Sequence, residues 1–137
     1  MAARPHRPAL RGKHVAELWY PPVVLDTLNR MSDAAAWQVA ADVEGRLTSR
    51  ECAHLDRARE VTPSTTEGCE DCLRIGSTWL HLRECLSCGH VSCCDSSPNR
   101  HASAHAHTET GHDLARSFET GEDWAWCYTD QLLLLPR

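Results

Sequence analysis

Eight cysteines set mostly in ligand-spaced pairs, short runs of alternating bulky residues and two stretches of helical periodicity predict a small α+β domain. It would hold an antiparallel sheet and a helix carrying two histidines, preceded by an N-terminal helical segment. At 137 residues the chain has room for one domain and an extra segment. Aromatic residues are only 6% of it, so the apolar core is expected to be thin. Small domains with thin cores take their stability from disulfides or from metal.

The elements read in order as follows. Residues 1–14 form a basic, solvated tail: Arg4, Arg7, Arg11 and Lys13 place four positive charges there against a net −5, so the remaining chain carries −9. Residues 15–49 read as the helical segment. Val24, Leu28 and Met31 recur at helical spacing, then Ser32 and Asp33 offer N-caps for a second helix with Ala36, Val39, Ala40, Val43 and Leu47 on one face. Trp19, Tyr20 and Trp37 read as packing residues. Thr62 to Gly68 is a connection by composition, inside a domain spanning residues 50–137. Thr78 to Arg83 alternates as a strand, and Ser97-Pro98 is a helix start with Gly111 as its stop. On that helix His101 and His105 are one turn apart. Leu114–Phe118 and Trp124–Leu135 read as two strands joined across Glu119 to Glu122.

The cysteines decide the chemistry. Cys52-Ala-His54, Cys69-Glu-Asp-Cys72, Cys85-Leu-Ser-Cys88, Cys93, His101 with His105, His112 and Cys127-Tyr-Thr-Asp130 supply twelve donors, enough for three tetrahedral zinc sites. Cys-x2-Cys lets two thiolates grip one ion from a single turn. Nothing in Met1 to His14 resembles an export signal, so a cytoplasmic, reduced protein with thiolates on metal is expected. No run approaches the roughly 20 apolar residues that span a bilayer, so no membrane association is expected. Three zinc ions against seven thiolates are nearly neutral, the body stays acidic, and an acidic body repels phosphate backbones, so no nucleic-acid partner is expected. Cys94 reads as a buried apolar side chain or spare thiol, His107 as solvent-facing, and His81 and His90 as surface histidines or hydrogen-bond donors behind the ligands. His6 and His14 belong to the tail. Spacing alone leaves open a ribbon in which Cys69, Cys72, Cys85 and Cys88 share one ion.

The order Cys-x2-Cys, Trp79, Cys85-Leu-Ser-Cys-Gly-His-Val-Ser-Cys93, His101-x3-His105, Gly111-His112 and Trp126-Cys-Tyr128 resembles the UBP-type zinc finger. The resemblance runs from Cys52 to about Leu135. Short stand-alone bacterial members are most similar, through Cys-Gly-His-Val-x-Cys-Cys-Asp-Ser-Ser-Pro and the ending Trp-Cys-Tyr-x-Asp. It implies interleaved ligands: Cys69, Cys72, Cys93 and His101 on one ion, and Cys85, Cys88, His105 and His112 on a second. Cys52, His54, Cys127 and Asp130 would hold a third, where Asp130 stands in place of the family's more usual cysteine. With every set closed by four protein donors, the chain is expected to be a scaffold and not an enzyme.

The family's function implies a protein or peptide C-terminus as partner, in its eukaryotic members the Gly-Gly tail of ubiquitin. An aromatic cleft of Trp79, Trp126 and Tyr128 would hold the peptide. The arginine that grips the carboxylate in the family is replaced here by Asp95, which opposes ubiquitin binding. Arg83 and Arg100 are the cations that could reach the cleft from elsewhere. The alternative reading is a structural or regulatory protein, a redox or zinc sensor using Cys94.

Overall fold

The computed structural model describes residues 36–42, 44, 46 and 49–137. Among them six short strands form one antiparallel sheet in the order β1-β6-β5-β4-β2-β3. The strands are β1 (Trp37–Val39), β2 (Leu82–Cys85), β3 (Val91–Cys93), β4 (Leu114–Ser117), β5 (Ala125–Cys127) and β6 (Leu132–Pro136). Helices α1 (Glu70–Ile75) and α2 (His101–Thr108) pack at the β2–β3 end, and a 3-10 turn covers Leu55–Arg57.

The α+β class stands, with differences in detail. The second predicted N-terminal helix gives way at Trp37–Val39 to β1, which pairs with β6 at Trp37↔Pro136 and Val39↔Leu134. The helical spacing of Ala36, Val39 and Ala40 is overridden because the apolar edge of β6 offers Val39 a ladder and Trp37 a core to cover. The tail, the first helix and Val43 and Leu47 lie outside the described residues. The strand read at Thr78–Arg83 begins only at Leu82: Leu80 instead gives its N–H to Ser97 Oγ at 2.9 Å, and its side chain is exposed. Ser97 is thereby occupied, and α2 starts later, after Arg100 in a left-handed conformation (φ 48°). The single strand read over Trp124–Leu135 is two, β5 and β6, split by a turn at Tyr128–Gln131 that brings the Asp130 N–H to 3.4 Å from Cys127 Sγ.

Helix α1 was not foreseen, though its signals are in the chain. Cys69 caps it through its sulfur, Glu70 and Asp71 place negative charge in the first turn, and Gly76 closes it at φ 71°.

The core is thin and divided. One cluster joins Ala58, Leu86, Leu114, Ala125, Cys127 and Leu134; another is little more than Cys69, Cys72 and Cys93 under Trp79 and Leu82. Both clusters contain thiols of the proposed zinc sets. Glu84, fully buried, accepts from Arg116 Nε at 2.6 Å. The Cys85–Cys88 turn closes on Gly89 (φ 82°), whose Cβ, if it had one, would lie 2.0 Å from the Thr62 carbonyl oxygen. Gly121 has a similar φ of 83° and open space. Gly121→Ala is therefore expected to cost only the left-handed strain of about 1 to 2 kcal/mol. Gly89→Ala, which must also displace backbone, should cost clearly more, read as the loss in thermal midpoint of the zinc-loaded protein. Equal losses would contradict this packing.

Candidate metal centres

Three groups of four donors converge, each within 4.8 Å of one another: Cys69, Cys72, Cys93 and His101; Cys85, Cys88, His105 and His112; Cys52, His54, Cys127 and Asp130. The arrangement is interleaved, and the ribbon that spacing left open is not formed. Zinc bonds of about 2.3 Å to sulfur and 2.0 to 2.1 Å to nitrogen place sulfur and nitrogen about 3.5 Å apart, and two sulfurs about 3.8 Å, in a tetrahedron. In the first group His101 Nδ1 stands 3.4, 3.3 and 3.5 Å from the sulfurs of Cys69, Cys72 and Cys93, and Cys72 and Cys93 are 3.9 Å apart. The fit is close.

Local structure aims these donors. Cys69 caps α1 and Cys72 sits in its first turn, Cys93 ends β3, and His101 opens α2 with its N–H 3.3 Å from the Cys93 sulfur. Asn99 Nδ2 lies 3.6 Å from Cys72 Sγ, an amide that supports the thiolate.

In the second group Cys85 Sγ is 3.4 Å from His112 Nδ1, and Cys88 Sγ is 3.4 Å from His105 Nε2. The two imidazole nitrogens face each other at 3.1 Å. That distance suits two nitrogens bound to one cation, or an N–H···N hydrogen bond between them. Ser87 Oγ ties the turn to the carbonyls of Arg57 (3.2 Å) and Gly111 (3.0 Å), next to His112. His101 and His105 thus serve different ions although they share a helix face. His90, which the sequence left as a surface histidine or a helper, connects the two groups: it contacts Glu70 at 2.9 Å and Asp71 at 2.7 Å on α1 and stacks on His105 at 4.7 Å.

The third group ties the start of the domain to the β5–β6 turn. Cys127 Sγ lies 3.5 Å from His54 Nδ1, and Asp130 Oδ2 accepts from the Ala53 N–H at 2.9 Å. That N–H and the nearby His54 hold the Asp130 carboxyl below the usual range. Asp113, buried behind His54, is bonded by Arg57 and Thr129; burial pushes its carboxyl up, but those bonds outweigh it. His54 Nδ1 to Asp130 Oδ2 is 2.8 Å, a hydrogen-bond length and shorter than the edge of about 3.4 Å that a shared zinc would give. In this group an imidazole and a carboxylate can satisfy each other directly.

Burial drives the Cys52 thiol up to about 12 and the Cys85 thiol to about 11, and raises those of Cys69, Cys93 and Cys127. Thiolates there at neutral pH need a compensating cation, so the donor sets fit zinc chemically as well as geometrically. A chelator of moderate strength is expected to remove the equivalent held by the third group first, and Asp130→Ala should lower zinc content by one equivalent while the other two stay. Simultaneous loss of all zinc in that variant would contradict this ranking.

The aromatic cleft differs from the one read in the sequence. Trp126 and Tyr128 do line one cavity, of about 190 Å³, together with Arg83, Cys94, Asp95, Ser96 and Trp124. Trp79 does not: it packs over the first group's cysteines, and its ring would lie 2.2 Å from a Cβ at position 68, which requires Gly68. Arg100 caps α2 and is not in the cleft. Trp124 is the wall that sequence reasoning missed, since it had been absorbed into a strand. Asp95, offered as the departure from the family, is in the cleft. Its charge, after burial, raises the Tyr128 hydroxyl. Burial raises the Cys94 thiol, but the hydrogen bond with Ser97, the backbone bonds of His81 and Ser96 and the Arg83 charge together outweigh it. His107 is exposed, as read.

Among the described residues no helix is long and apolar enough to cross a membrane. No curated protein matches the chain. Residues 69–134 match the model of the family described as "Zn-finger in ubiquitin-hydrolases and other protein". The chain is similar to protein RPA1320 from Rhodopseudomonas palustris, solved in solution by NMR, at 48% identity and a TM-score of 0.56, over 64% of this chain and 84% of that one. The matched span encloses two complete donor groups and half of the third, and a bacterial relative of this identity shares most of its length, so the chain belongs to the UBP-type zinc-finger family and is a zinc-binding module.

Proposed function

We propose that this module binds a free peptide or protein C-terminus in the cleft of Arg83, Trp124, Trp126 and Tyr128, and that it is not an enzyme. One observation carries the reading. The Arg83 guanidinium lies 4.4 Å over the Trp124 ring and donates to the Leu82 carbonyl at 2.8 Å, yet has no carboxylate within 4.0 Å among the described residues. A guanidinium offers five donors in a planar fork, and a terminal carboxylate matches that fork two at a time. Arg83 thus takes the role that resemblance gives to an arginine at position 95, from another strand. Trp126 and Tyr128 wall the adjoining backbone, a mode in which flat aromatics hold a peptide with little specificity for its side chains.

Four protein donors per zinc group leave no coordination position for a substrate water, which supports a scaffold role. Cys94, the thiol a redox sensor would use, is only 4% exposed and faces the cleft, which favours binding over sensing. The Gly-Gly tail of ubiquitin belongs to the proposed ligand class. Titration of the zinc-loaded protein with free-acid peptides, ubiquitin's tail among them, and with their C-terminal amides is expected to show at least tenfold weaker binding of the amides. Trp126→Ala should abolish binding with zinc content unchanged. Amides that bind as well as acids would sink the proposal.

A further inference from the structure

We infer that Asp95 makes this cleft selective for a C-terminus preceded by a basic side chain one or two residues upstream. The inference rests on the C-terminus reading above and adds to it the identity of the ligand's second charge.

Arg83 and Asp95 line the same cavity of about 190 Å³, carry opposite charges, and form no ion pair with each other. Asp95 has no hydrogen bond or ion pair to any described residue. Each charge is fixed by its own surroundings. Arg83 is pinned by its stacking on Trp124 and its bond to the Leu82 carbonyl, while Asp95 sits in a turn closed by the Ser97 N–H on the Cys94 carbonyl at 3.0 Å. Each therefore presents an unanswered field to whatever enters, and the complement of that field is a ligand with an anion and a cation a short way apart.

Position assigns the two. Arg83 is partly buried among the aromatic walls and meets the terminal carboxylate; Asp95 is exposed and meets the part of the ligand that emerges. The cavity is smaller than the roughly 300 Å³ at which drug-sized sites begin, enough for a terminal residue but not for several. The cation is therefore on a residue just upstream, outside the pocket. An acidic side chain there would meet Asp95 with like charge.

The test uses zinc-loaded protein and free-acid peptides that differ only in carrying Lys, Gln or Glu at the two positions before the last. Wild type is expected to bind them in the order Lys, Gln, Glu, with a spread of about tenfold at low salt that narrows as ionic strength rises. Asp95→Asn should erase the spread, and Asp95→Lys should reverse the order. A wild-type protein that binds all three equally, or an Asp95→Asn variant that keeps the preference, overturns the inference and leaves the C-terminus reading standing. If no free-acid peptide binds the wild type, the C-terminus reading fails and this inference falls with it. Free lysine binding as tightly as the Lys peptide would also overturn it, by making the ligand a free amino acid.

Discussion

Convergence of donors that are far apart in the chain is the constraint from which the remaining architecture follows. His54 meets Cys127 and Asp130 across more than seventy residues, and Cys69 meets Cys93 and His101 across two dozen or more. The elements between them are three to eight residues long, too short to persist alone. The largest fully buried apolar side chains are Leu114, Leu134 and Val91, worth about 1.5 to 3 kcal/mol each. Structural zinc contributes roughly 10 to 16 kcal/mol of apparent folding energy in small modules. Metal coordination and apolar burial are not separate here, since thiols of the metal groups are members of both apolar clusters.

That constraint also builds the cleft. Three strands end on a zinc-binding thiol: β2 at Cys85, β3 at Cys93 and β5 at Cys127. Arg83 stands two residues before the first, Asp95 two after the second, and Trp126 and Tyr128 flank the third. Each charged or aromatic wall is thus fixed close to a different metal group. Register does the rest: Trp126 pairs with Ala115 and Leu133, on the face opposite to Ala125, Cys127 and Leu134, so alternate residues of β5 serve core and cleft. A scaffold of this kind can hold an unpaired Arg83 and an unpaired Asp95 in one small space, which a soft core could not.

Much of this was legible from residue types and spacing, because zinc chemistry constrains both. Ligand-spaced cysteines and histidines announced the metal, and Ser97-Pro98 with Gly111 announced a helix where α2 stands. What could not be read was the conformation between ligands. Ser97 reads as a helix cap, but its hydroxyl holds the Leu80 N–H, and Trp124 to Leu135 reads as continuous because the turn at Asp130 is specified by a ligand and not by glycine or proline. Trp79 carries the same residue type as a cleft wall, yet Gly68 leaves room for it over the first metal group instead. Helical spacing around Val39 lost to pairing with β6, a partner nearly a hundred residues away. Local pattern fails where a distant segment supplies the competing contact.

Substituting cadmium-113 for zinc and recording which protons couple to each metal resonance tests the central claim most directly. The account predicts one resonance coupled to the β-protons of Cys69, Cys72 and Cys93 and to the His101 ring, and another coupled to Cys85, Cys88, His105 and His112. A single resonance coupled to Cys69, Cys72, Cys85 and Cys88 together would contradict it.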